Sequence, residues 1–222
     1  MESERKAFLS IGGTPVYFEE DWATGIGGGL WSTGLAIARY LEQHPDHARK
    51  NLVHKDRFSL LELGSGNGFL AVCFLALAKE LFHPVAITDF EDHLPLIKTT
   101  LQANSQIISD KSDRKPMVLE HKWGEFPLSE DKENPLNQTF DLIVGSDLAY
   151  RDELHDPLIA SLRHFSHSKT VTLLGVTMHD TKPSFFFKLK EAGFTYERMA
   201  DHLLDLKFRG TSFGVFVIRL AS

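Results

Sequence analysis

At 222 residues, with 42% hydrophobic and 24% charged content, the chain is long enough for one well-buried domain and ordinary enough to exclude bulk disorder and fibrous classes. Its formal net charge of -6 gives no global field for a nucleic acid and better suits a basic protein or peptide partner. No apolar run reaches the roughly 18 residues of a membrane span, and Met1-Glu2-Ser3-Glu4-Arg5 lacks a signal-peptide core, so the expectation is a soluble intracellular protein, cytoplasmic or also nuclear, with no membrane partner.

Residues 1–25 read as an N-terminal arm, in which Val16-Tyr17-Phe18-Glu19-Glu20 alternates as a short strand would. The glycine segment Gly25-Ile26-Gly27-Gly28-Gly29 leads into Leu35, Ile37, Ala38, Tyr40 and Leu41, whose spacing predicts a helix over 31–43. Trp31, at its start, is placed either to pack on the core edge or to face a ligand. Residues 44–57 are polar and contain Pro45, which predicts a connecting loop.

Phe58-Ser59-Leu60-Leu61-Glu62-Leu63 is an apolar run of strand length, and Gly64-Ser65-Gly66-Asn67-Gly68 breaks it before a helix over 69–81. Glycines at such a turn let a ligand approach the backbone. Phe69 and Leu70 stand where a dinucleotide GxGxxG loop carries its third glycine, so the spacing favours a more compact nucleoside ligand. Cys73, the single cysteine, lies within the apolar helix and reads as a small core residue rather than a reactive thiol.

A second strand over 84–89 ends on Asp89, where a carboxylate either accepts ribose hydroxyls or caps the next segment. A helix over 93–108, a polar loop over 109–116 and a short strand over 117–120 follow. Behind them Trp123 is flat enough to stack on a purine or to pack in the core. Residues 129–139 suit a solvated excursion. The strand over 140–145 ends in Ser146-Asp147-Leu148-Ala149-Tyr150, which brings a carboxylate and a phenol to the rim of the sheet.

A helix over 152–165, a fifth strand over 170–176, a helix over 183–192 closed by Gly193, and two strands over 194–199 and 213–220 complete the chain. No helix is expected between the last two. His179 and Asp180 lack the further ligand spacing of a metal site and read as loop, so no metal is expected. The pattern is α/β: a doubly wound, mostly parallel seven-stranded sheet with an antiparallel terminal hairpin, in one domain.

Five stretches occur in a fixed order: Gly27-Gly28-Gly29-Leu30-Trp31, Leu61 to Gly68, Thr88-Asp89, Lys122-Trp123-Gly124 and Asp147-Leu148-Ala149-Tyr150. In this set the chain resembles the class I, seven-strand S-adenosylmethionine-dependent methyltransferases, and within them the protein-lysine group, from about Gly25 to Leu220. The resemblance implies a Rossmann-like fold, S-adenosyl-L-methionine as cofactor, a lysine-bearing protein as substrate and a monomeric enzyme. It also implies that Trp31, Glu62, Gly64, Ser65, Gly66, Asp89, Trp123 and Ser146 bind the cofactor, with the glycine loop near its methionine part, Asp89 at the ribose, Trp123 beside the adenine and Ser146 toward the sulfonium. Asp147 and Tyr150 are the implied catalytic pair, Asp147 orienting the incoming amine and Tyr150 walling its channel. Other readings stay open: transfer to histidine, arginine or a small molecule, or a binding module that keeps the fold without the activity. A dinucleotide-dependent dehydrogenase fits least, because the third glycine is missing.

Overall fold

The computed structural model describes residues 7–52, 57–108, 115–127, 131 and 133–221, with nothing said of the side chains of Thr24 and Ile26. The opening 1–6 segment and most of the expected 109–116 loop lie outside these residues, as does part of the 129–139 excursion.

A hairpin of β1 (Ala7–Ile11) and β2 (Thr14–Phe18) precedes a sheet of β3 (Phe58–Glu62), β4 (Phe82–Asp89), β5 (Met117–Glu120), β6 (Phe140–Ser146), β7 (Ser166–Thr177), β8 (Phe194–Arg198) and β9 (Phe213–Leu220). The order across the sheet is β5-β4-β3-β6-β7-β9-β8. Strands β3 to β7 are parallel, whereas β9 runs antiparallel to both of its neighbours, β7 and β8. This is the doubly wound sheet with a reversed terminal hairpin that the pattern predicts.

Successive strand residues point to opposite faces, so each apolar run supplies two cores. Leu60, Val85, Ile87, Leu142, Val144 and Leu173 pack with α1 (Ser32–Gln43), α2 (Pro45–Leu52), α3 (Phe69–Ala78) and α4 (Leu94–Ala103). Their neighbours Leu61, Ala86, Ile143, Leu174 and Val176 pack with α5 (His155–Phe165) and α6 (Pro183–Glu191). Helix α3 is apolar on nearly every side, which matches its burial from Phe69 to Leu75.

Several boundaries differ from expectation for identifiable reasons. Residues 45–52 form helix α2, not loop. Pro45 opens it, where a missing N–H costs nothing, Asp46 and the Arg49-Lys50 pair complement the helix dipole, and Ala48 and Leu52 bury four residues apart. The N-terminal strand is half of a hairpin, turned through Gly12 and Gly13 at φ 57° and 78° and seated by Phe18 edge-on to Phe69, ring centres 5.3 Å apart. Strand β7 begins at Ser166, directly after α5, and β4 begins at Phe82. The connection from β5 to β6, where a solvated excursion is expected, carries no helix among the described residues.

Building outward from β3, the chain adds β4 and β5 on one side, then returns to lay β6 on the other. The loops after β3, β4 and β6 therefore open on one sheet end beside this reversal, where ligands of open α/β sheets bind.

Candidate active site

A cleft of about 850 Å³ opens at that end. Its walls come from the glycine segment before α1, the loop after β3, the end of β4, Trp123 and the end of β6. Gly64 and Gly66 hold φ of 56° and 65°. A Cβ on Gly64 would lie 2.8 Å from both Trp123 Cζ2 and Leu148 Cδ2, and one on Gly66 would lie 2.1 Å from the carbonyl oxygen of Gly27. The loop is thus a cradle with no space for side chains, pressed between Trp123 and the glycine segment.

The Asp89 carboxylate faces this cradle while nearly buried. Its Oδ2 accepts from the Gly66 N–H at 2.6 Å, and its Oδ1 accepts from the Phe90 N–H at 2.7 Å and from His93 Nδ1 at 2.7 Å. Trp123 is steadied from behind, since the Gly124 N–H donates to Ser161 Oγ at 3.0 Å and the same oxygen pairs with His121 Nε2 at 3.0 Å. Burial pushes His121 down to about 4, so its ring is neutral near pH 7.

At the end of β6, Asp147 is the one non-glycine residue with positive φ, 55°, among the described residues. Such a conformation costs free energy and persists only where neighbours over-determine it. Three contacts do so. The Asp147 N–H donates to the Gly175 carbonyl at 2.8 Å, Thr33 Oγ1 donates to Oδ2 at 2.8 Å, and the Thr177 N–H donates to Oδ1 at 2.6 Å. Burial raises the Asp147 carboxyl above the ordinary carboxylate range, and the hydrogen bonds from Thr33 and Thr177 oppose that rise. Ser146 Oγ lies 3.3 Å from Thr33 Oγ1.

Tyr150 lines the same cleft with the Arg151 guanidinium 5.4 Å from its ring centre. Burial raises its phenol, which therefore keeps its proton. Trp31 stands at the rim, edge-on to Trp22 with ring centres 6.4 Å apart.

The cleft thus brings together Trp31, Gly64, Gly66, Asp89, Trp123, Ser146, Asp147 and Tyr150. It does not include Glu62 or Ser65. Glu62 is buried beneath the loop, where it accepts from the Ala71 N–H at 3.1 Å, and burial raises its carboxyl to about 8. The Ser65 hydroxyl leans toward Glu62 without reaching hydrogen-bond geometry and is buried with no partner of its own among the described residues. Through the Ala71 N–H, Glu62 ties the end of β3 to the first turn of α3. His179 and Asp180 line the outer wall and bond each other at 3.0 Å, and no cluster of metal-ligand type occurs among the described residues.

Three wall or support residues escape the sequence pattern: Thr33, His93 and Arg151. Thr33 is an ordinary helix-start residue whose partner stands 114 positions away, and His93 sits where a helix is only beginning. Of the three, His93 alone had a local signal, four residues after Asp89.

Comparison with known proteins agrees with this geometry. A family model described as lysine methyltransferase matches residues 12–192. The chain belongs to the lysine methyltransferase family. Protein-lysine N-methyltransferase EFM6 of Saccharomyces cerevisiae is 29% identical over 185 residues, spanning 78% of this chain and 72% of that protein. Mouse protein N-lysine methyltransferase METTL21A is 25% identical over 194 residues, spanning 87% and 80%. Among solved structures, an S-adenosylmethionine-dependent methyltransferase from Clostridium acetobutylicum superposes with a TM-score of 0.61 over 90% of this chain and 96% of that one, at 12% identity. It shares the fold. For a lysine methyltransferase the glycine cradle and a cleft within the size range of small-molecule sites fit a nucleoside cofactor.

Proposed function

We propose that this member of the lysine methyltransferase family binds S-adenosyl-L-methionine in the cleft and moves its methyl group to a lysine side chain of a protein. The cradle carries the reading: Gly64 and Gly66 leave backbone exposed beside Asp89 and Trp123, with Asp147 and Tyr150 on the adjoining wall. A compact nucleoside sulfonium matches the first group, and an amine matches the second.

When bound, the cofactor supplies an electrophilic methyl on a positively charged sulfur that leaves as a neutral thioether. Trp123 would flank the adenine, Asp89 the ribose, and Gly64, Gly66 and Trp31 the methionine portion. Ser146 lies between these and the acceptor wall. Glu62 and Ser65 do not line the cleft.

A lysine amine has a pKa near 10.4, so it must lose a proton before it can attack. Tyr150 and Trp31 form a desolvating channel, which favours the neutral amine. Asp147 lines the cleft with its carboxylate fixed by hydrogen bonds from Thr33 and Thr177, which suits it to orienting an amine N–H along the line of transfer. As the new N–C bond forms and the S–C bond breaks, the amine nitrogen becomes cationic, and the nearby carboxylate stabilises that developing charge. The excess proton leaves to solvent. The raised phenol of Tyr150 stays protonated and takes no proton in this step.

The substrate is a protein, in keeping with the names of the relatives, and the chain acts as a monomer in the cytoplasm or also the nucleus. The discriminating experiment is calorimetry with S-adenosylhomocysteine: micromolar binding that Asp89→Ala weakens by about 10-fold or more supports the assignment. Absence of binding by the wild-type chain overturns it.

A further inference from the structure

An ionised carboxylate offers about four acceptor positions, two on each oxygen. At Asp89 the Phe90 N–H and His93 Nδ1 fill both positions on Oδ1, and the Gly66 N–H fills one on Oδ2. One position is left, on Oδ2, and Asp89 lines the cleft. Because the carboxylate only accepts, His93 Nδ1 is the donor of that pair. His93 is nearly buried, its side chain 11% exposed, and lies against the glycine segment: a Cβ on Gly27 would lie 2.4 Å from its Cε1. The ring therefore packs directly against the Gly27 backbone.

We propose that His93 is a positioning residue that reserves Asp89 Oδ1, so that Asp89 receives a single ribose hydroxyl, through Oδ2, rather than both. This rests on the cofactor reading above and refines it: the acid at the end of β4 discriminates between the 2′ and 3′ hydroxyls. His93 also ties that acid to the glycine segment that backs Gly66. The loop after β3, the ribose acid and the glycine segment are held as one wall.

Calorimetry with S-adenosylhomocysteine and its 2′-deoxy and 3′-deoxy analogues tests it. For the wild-type chain, one analogue loses about 10-fold or more in affinity, as expected for a hydrogen bond to a charged acceptor, and the other stays within about 3-fold. In His93→Phe, which frees one position on Oδ1, the two losses converge. In His93→Asn, whose amide can donate from the position of Nδ1, the wild-type difference returns. Equal losses for the two analogues in the wild-type chain overturn the proposal whether or not His93→Phe folds. So does a uniform weakening of all three ligands in His93→Phe with the difference intact, since a merely structural role gives that result. Failure of the wild-type chain to bind S-adenosylhomocysteine at all is a different outcome, which removes the cofactor reading itself and this refinement with it.

Discussion

Thr33 Oγ1 donates to Oδ2 of Asp147 at 2.8 Å, tying the first turn of α1 to the end of β6 across 114 positions of sequence. Thr33 is wholly buried, and it fills the space left by Gly175, where a Cβ would come within 2.6 Å of its own. Valine preserves that shape and removes only the hydroxyl. Thr33→Val should lower turnover by about 10-fold, the order of one hydrogen bond to a charged group, with S-adenosylhomocysteine affinity within about 3-fold. Because the Thr33 bond lowers the Asp147 pKa, its loss moves the acidic limb of the pH–rate profile to higher pH. A lower rate with an unmoved limb would place Thr33 in a packing role alone.

Asp147 itself is tested best by asparagine, which tolerates the left-handed conformation at φ 55° and still accepts from the Thr177 N–H. Asp147→Asn should reduce turnover by about 100-fold or more while cofactor affinity stays within a few-fold, since the charge that favours the developing ammonium is gone. Retained turnover would remove Asp147 from the chemistry and leave it as a pin between β6 and β7.

Gly66→Ala places a methyl 2.1 Å from the Gly27 carbonyl oxygen at a φ of 65°. The glycine segment must retreat, and with it one wall of the cleft. Calorimetry should show cofactor affinity down by about 10-fold or more, and thermal unfolding a loss of about 1 to 2 kcal/mol from strain. Unchanged binding would mean that the cradle does not touch the ligand.

Glu62 gives a pH signature independent of activity. Its carboxyl titrates near 4.5 when free and near 8 in the fold, chiefly because burial penalises the charge. Between those values the folded chain keeps a proton that the unfolded chain has lost, so this group's stabilising contribution is fully present below pH 4.5 and is lost as pH rises through 8. Glu62→Gln should flatten the fall in unfolding free energy over this window and become the more stable form by about 2 kcal/mol or more at its upper end. Parallel pH dependences for the two chains would show that Glu62 is ionised in the fold.

Much of this was legible in the residues because the signals are local. The run from Phe58 to Leu63 and the glycines after it specify strand and turn within a dozen positions, and the sheet reversal brings Asp89, Trp123 and Asp147 to one end without further information. Helix α2 was illegible because only Ala48 and Leu52 bury, too few to set a period, and Pro45 reads as a breaker although it occupies the one helical position that tolerates it. Strand β1 escaped because four of its five residues remain at least partly exposed. Glu62 and Ser65 belong to the motif yet do not line the cleft, a distinction that depends on which way backbone and side chain turn. Thr33 gains its role only from a partner that the fold brings to it across 114 positions.

The most direct test is to incubate the purified chain with methyl-labelled S-adenosylmethionine and a cell extract, with Asp147→Asn in parallel, and to locate the label by mass spectrometry. Label on the lysine side chain of a protein, absent with Asp147→Asn, is the predicted result. Label confined to histidine, arginine or small metabolites, or no transfer by a chain that binds the cofactor, would contradict it.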